Sequence, residues 1–159
     1  MYVCRRPMPP RRSESGAVAV EFALIVPLLI ALLLAIITGG VAFSRSVSLN
    51  DAVRAGARVG ATTINDASWA NAVQTSTANS SADGLGTSDV CVQLVSGGGV
   101  VKQSSSCTLS PVPATPAGIA ATDCVVKVWS QREVEFNAFF VNNTITLKRA
   151  TVLRYERTC

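Results

Sequence analysis

The chain has 159 residues, 48% of them hydrophobic, with a formal net charge of +4 and no histidine. That length allows one membrane segment and one small folded domain, and a mean hydropathy of +0.36 is high for a water-soluble chain. The missing histidine excludes Ser-His-Asp and Cys-His nucleophile activation and every histidine metal site.

Arg5, Arg6, Arg11 and Arg12, with Glu14, all precede Ala17, and the remainder holds ten basic and nine acidic residues. The basic excess is therefore a positive-inside flank and no nucleic-acid surface. Residues 1–16, MYVCRRPMPPRRSESG, read as an unstructured basic leader. Arg11-Arg12 does not make a twin-arginine signal, because Ser13-Glu14-Ser15 follows where apolar residues belong.

From Phe22 to Ser44 run 23 residues without a charge, closed by Arg45. At ~1.5 Å per residue this helix crosses a hydrocarbon core of ~30 Å with room for tilt. It is too long for the apolar part of a cleaved secretory signal, so a retained span over 17–44 is expected. Four arginines before it against Arg45 just after it predict a cytoplasmic N-terminus and an exported C-terminus. Glu21 sits at the cytosolic edge. Pro27 predicts a local kink or a loosened turn, and Gly39-Gly40 is a second weak point.

The helix is expected to continue through 45–63. Ala52, Gly56 and Gly60 recur every fourth residue and form a smooth stripe, which lets helix backbones approach closely and favours side-by-side bundling. The rest, 64–159, reads as an extracytoplasmic α+β domain. Asn65 or Asp66 caps a short helix ending near Val73, and Gln74–Asp89 reads as a surface loop. Asp89–Val95, Gly97-Gly98-Gly99 and Val100–Ser104 make a hairpin. A proline-containing loop, Ser110–Gly118, precedes a two-sided strand over Cys124–Phe136. Asn142-Asn143 is expected to turn into a last strand, Thr144–Glu156, with a bulge or register shift near Arg149-Ala150. The fold class is thus α+β: a long N-terminal transmembrane helix extending into a small antiparallel sheet.

Cys91, Cys107, Cys124 and Cys159 lie beyond the span, and four cysteines in a small exported domain read as two disulfides. Three pairings are open. A hairpin joining its outer ends favours Cys91–Cys107, which leaves Cys124 with Cys159. No pair has CxxC spacing, so zinc is not expected. Asp123, Glu133, Glu135 and Glu156 are scattered along strands and read as solvated charges. Neither a catalytic site nor a cofactor site is expected.

The junction Ser15-Gly16-Ala17-Val18-Ala19-Val20-Glu21-Phe22 places a small residue, four apolar residues and Glu-Phe at the head of the long helix. It resembles a class III prepilin-peptidase site. With GAVAVEFALIVPLLIALLLAIITGG and AVRAGARVGAT, the stretch from Gly16 to Ala61 resembles the TadE-like minor pilins (pseudopilins) of tight-adherence, Flp-type pilus systems. The resemblance implies a non-enzymatic inner-membrane subunit cut between Gly16 and Ala17, with Glu21 fifth in the mature chain. It implies as partners a prepilin peptidase, other pilin or pseudopilin subunits, inner-membrane assembly proteins and the lipid bilayer. It also implies a counter-charge for Glu21, the new α-amino group of Ala17 on a neighbouring subunit. Two alternatives stand beside it: an unprocessed, single-pass anchor carrying an extracytoplasmic binding domain, and a secreted enzyme. The missing histidine weakens the second.

Overall fold

The computed structural model describes residues 15–82, 84–105, 107–120, 122–138 and 141–159. Its first element is one helix, α1, Ser15–Thr62, of 48 residues. Its length is ~72 Å. Pro27 and Gly39-Gly40 do not interrupt the helical run. A proline removes one bond of the ladder, and the turns on either side carry the helix past it. The helix starts at Ser15, so Ser15 and Gly16 are helical and not unstructured; the rest of the basic leader, 1–14, lies outside the described residues.

A second helix, α2, spans Trp69–Asn79. It starts from a local turn in which Asp66 Oδ1 accepts bonds from Ser68 N at 2.9 Å and Ser68 Oγ at 2.7 Å. The helix outruns the expected end at Val73, so Gln74–Asn79 is helical where a loop was expected. The polar composition concealed an inward face. Gln74 and Thr77 are buried. Gln74 Nε2 donates to Val90 O at 2.7 Å and Thr87 O at 3.0 Å, while Thr77 Oγ1 donates to Val73 O at 2.8 Å. Polar groups satisfied in this way can sit in a core.

After a single 3-10 turn at Thr87–Asp89 come four strands: β1 Val90–Ser96, β2 Gly99–Gln103, β3 Val125–Ala138 and β4 Val141–Arg154. They form one antiparallel sheet in the order β2-β1-β3-β4. The β1–β2 turn needs positive φ at both central residues, and Gly97 (φ 58°) and Gly98 (φ 79°) supply it. The expected hairpin is present.

The last hairpin differs from expectation in two ways. Its register is unbroken from Val125↔Arg154 to Ala138↔Val141, so Asn142 and Asn143 lie within β4, opposite Asn137 and Phe136. No bulge occurs at Arg149-Ala150; the register shift falls instead between Leu94 and Val95, where β1 meets β2. Arg149 needs no bulge because its side chain stays exposed. Its guanidinium reaches Ser46 Oγ of α1 and donates to Lys148 O at 2.9 Å.

The core forms between one face of this sheet and the second half of α1. Val90, Val92, Leu94, Val126 and Val128 meet Leu49, Val53 and Ala57 of α1 and Trp69 and Val73 of α2, with Leu85 and Tyr155 closing the cluster. Opposite pairs Val92↔Val128 and Leu94↔Val126 share that face. The alternation in β3 is therefore two-sided, as its sequence predicts.

Candidate membrane segment and assembly surface

The two halves of α1 have opposite surroundings. Leu49, Ala52, Val53, Ala57 and Ala61 are buried, whereas Phe22, Leu24, Leu28, Leu33, Ile37 and Phe43 are each more than half exposed. The exposed half contains the whole uncharged run. It is long and apolar enough to cross a membrane, and among the described residues none of its most apolar stretch is buried. Exposing this much apolar surface to water would be costly, which is the behaviour of a segment whose solvent is lipid.

Gly16, Ala17, Glu21 and Phe22 occupy the first two turns of this bare segment, all exposed. A Cβ added at Gly16 would meet nothing within 4 Å. Glu21 makes no ion pair among the described residues, where Arg154–Asp123 at 3.3 Å is the salt bridge present. Among the described residues, therefore, nothing offers Glu21 a counter-charge.

The small-residue stripe is used differently from expectation. Ala52 is fully buried. A Cβ built on Gly56 would lie 1.8 Å from Thr77 Oγ1 of α2, and one on Gly60 2.8 Å from Val126 Cγ1 of β3. The close approach that the stripe permits is made within one chain, to α2 and the sheet. It seats the folded domain on its own helix and is not open for bundling with a second helix.

The end of α1 shows the same tight seating. No capping glycine follows Thr62; the carbonyls of the last turn are met from elsewhere in the fold. Trp69 Nε1 donates to Gly60 O at 3.0 Å, Glu156 N to Ala61 O at 3.1 Å, Arg157 Nε to Thr62 O at 2.7 Å and Tyr155 Oη to Thr63 O at 2.9 Å. These partners satisfy acceptors that a helix end otherwise leaves to water. Sequence reasoning misses them because the partners come from up to 95 residues away.

The structure pairs Cys91 with Cys107 and Cys124 with Cys159, with Cα–Cα separations of 4.8 and 6.1 Å. Cys91 lies in β1 opposite Trp129, on the face away from α1. There the disulfide, the bond from Trp129 Nε1 to Leu109 O (3.0 Å) and that from Lys127 Nζ to Pro113 O (2.9 Å) hold the proline-containing loop over the sheet. Two open grooves between α1 and β4 are lined by Arg58, Leu153 and Glu156 and by Asp51, Arg54 and Thr151. What the arrangement offers is anchoring, docking and a rigid helix–sheet joint.

The class defined so far is a single long helix, bare and apolar in its first half, that carries a small disulfide-bearing α+β domain on its second. Residues 16–58 match the family described as TadE-like protein, and the match begins at Gly16. The resemblance read from the junction and the helix thus holds over that segment. No curated protein and no solved structure gives a significant match to the chain.

Proposed function

We propose that this protein is a minor pilin-like (pseudopilin-like) subunit of a Tad, Flp-type pilus assembly system, cut by a prepilin peptidase after Gly16. The observation that carries this reading is the TadE-like match over 16–58, which starts at the junction and covers the bare helix. The family suggests a Tad pilus component with a membrane-anchoring helix and a structural, non-enzymatic role. In this reading 1–16 is a leader that fixes topology, and 17–44 parks the subunit in the inner membrane with its N-terminus in the cytoplasm. Residues 45–63 then carry the domain 64–159 outside. Its partners are the peptidase, other pilin or pseudopilin subunits and inner-membrane assembly proteins.

Intact-mass spectrometry of the membrane-extracted protein tests the processing step. The expected mature chain begins at Ala17, and Gly16→Leu accumulates precursor. A native chain still carrying Met1 in cells with active pilus machinery would instead favour an unprocessed anchor with an extracytoplasmic binding domain.

A further inference from the structure

The two disulfides have unlike surroundings. Cys91 is fully buried in β1, and its partner Cys107 is half-buried. Cys159 is exposed, and its partner Cys124 is half-buried just before β3. Access of an attacking thiolate decides which disulfides exchange, and exposed ones are the labile ones.

Cys124–Cys159 also ties down the segment that grips the end of α1. β4 ends at Arg154, and one further bond, Tyr155 N to Cys124 O at 2.8 Å, continues its pairing. From there the chain turns to the helix. Tyr155 Oη donates to Thr63 O, Glu156 N to Ala61 O and Arg157 Nε to Thr62 O. Glu156, Arg157, Thr158 and Cys159 are all exposed, so no apolar burial holds this stretch in place. The covalent tie to Cys124 does.

The sulfur on the other side of that tie has a donor beside it. Ser96 Oγ, at the end of β1, stands 3.6 Å from Cys124 Sγ, within reach of a hydroxyl–sulfur hydrogen bond. A thiolate formed on Cys124 would accept that bond, and a better stabilised thiolate departs faster. Asp123, next in the chain, would oppose a second negative charge, but Arg154 Nη2 pairs with its Oδ1 at 3.3 Å.

We propose that Cys124–Cys159 is a thiol-exchange site, a latch on the joint between α1 and the sheet that a dithiol opens, with Cys159 as the sulfur attacked and Ser96 as donor to the sulfur that leaves. One thiolate of the dithiol bonds to Cys159 Sγ as the Cys159–Cys124 bond breaks, and the electron pair stays on Cys124 Sγ. The second thiolate then attacks the dithiol's own sulfur in this mixed disulfide and displaces Cys159. The dithiol leaves oxidised to a disulfide, and its two protons end on Cys124 and Cys159. Opening spares the core and Cys91–Cys107 but returns the carbonyls of Ala61, Thr62 and Thr63 to water, so the sheet's hold on the helix end loosens. The inference stands on the two cysteine pairings and does not depend on the pilin-like reading.

The test treats full-length, detergent-solubilised protein with dithiothreitol, alkylates aliquots with N-ethylmaleimide at intervals and maps the modified cysteines by peptide mass spectrometry. Cys124 and Cys159 should be modified about tenfold sooner than Cys91 and Cys107, as expected where access decides the rate. Hydrogen exchange on the partly reduced protein should show peptides covering 155–159 losing protection while those covering β1 keep it. Ser96→Ala should slow the opening of Cys124–Cys159 severalfold and leave Cys91–Cys107 unchanged. Ser96→Thr, which keeps the hydroxyl, should open at the parent rate and so separates loss of the donor from damage to β1. Both pairs opening together, or Cys91–Cys107 first, overturns the proposal. So does a 155–159 segment that stays protected once Cys124–Cys159 is open, because the disulfide is then incidental to the joint. Equal rates in the parent and Ser96→Ala, or equal slowing in Ser96→Ala and Ser96→Thr, overturn the role of Ser96.

Discussion

At Gly56 a hydrogen on Cα is all that the packing admits. A methyl there would sit 1.8 Å from Thr77 Oγ1, so α2 would have to move or Thr77 give up its bond to Val73 O. Gly56→Ala is expected to destabilise the domain by about 1–3 kcal/mol, the usual range for overpacking, despite alanine's better helix propensity. Thr77→Ala should recover part of that loss, giving a non-additive double-mutant cycle in detergent-solubilised thermal melts. Gly39→Ala is the contrast, since nothing lies within 4 Å of it, and it should leave the domain's melting unchanged. Asp66 gives a residue-scale prediction in pH. The Ser68 hydroxyl, and next the Ser68 amide, hold its carboxyl below the ordinary value of 3.8. The folded state therefore binds this proton less readily than the unfolded state. The resulting stability is fully present above the ordinary carboxylate value and is lost as pH falls through the lower folded one. Asp66→Asn keeps an acceptor for Ser68 but has no proton to gain, so its melting temperature should fall less steeply with acid than that of the parent. Equal slopes would assign acid sensitivity to other carboxylates.

The elements differ in how legible they are, for physical reasons. α1 is legible because a long uncharged run is a local property, strong enough to carry the helix past Pro27 and Gly39-Gly40. So is the β1–β2 hairpin, because Gly97-Gly98 supplies a conformation that few other residues adopt. The second half of α2 is not, because Ser, Thr and Asn read as loop until their bonds to neighbouring carbonyls are known. Asn142-Asn143 misleads similarly: a turn signal in isolation, it is overridden by a β3–β4 register that places the pair within β4. Gly16, Ala17, Glu21 and Phe22 stand out in the junction, and the structure places all four exposed on the bare half of α1. The inward use of Gly56 and Gly60 is not legible, since small residues announce close packing without naming the partner. The two disulfides act at this scale. Cys91–Cys107 closes a separation of 16 residues and Cys124–Cys159 one of 35. In the chain-entropy model each contributes about 3–4 kcal/mol. Alkylation without reduction should label none of the four, and reduction should lower the domain's melting temperature by several degrees. Four reactive thiols in the native protein would reject the pairing.

For the whole molecule, the decisive charge is Glu21. The domain rides on its own helix through Ala52, Gly56 and Gly60, so in the proposed reading contact with other subunits comes from surfaces left open, the bare half of α1 among them. A carboxylate on that half is costly in hydrocarbon unless it reaches the interface or meets a cation. In the proposed topology it lies at the cytosolic edge, where it reaches headgroup water. Once the helix moves into a bundle that escape is lost, and no cation among the described residues lies near enough to pair with it. In the proposed reading cleavage after Gly16 creates one, the α-amino group of Ala17 on the neighbouring subunit, so that processing and assembly are coupled through one ion pair. Glu21→Ala should then leave membrane insertion, processing and domain melting intact while sharply reducing incorporation into pili, scored by cross-linking and by counting surface filaments. Glu21→Gln should behave in the same way, because it keeps the shape and the hydrogen bonding but not the charge. A correctly processed Glu21→Ala protein that supported normal pili would show that Glu21 is only an interfacial charge. If the same substitution blocked cleavage, Glu21 would instead be a residue read by the peptidase. The two outcomes are distinguished by the mass of the extracted chain before any filament is counted.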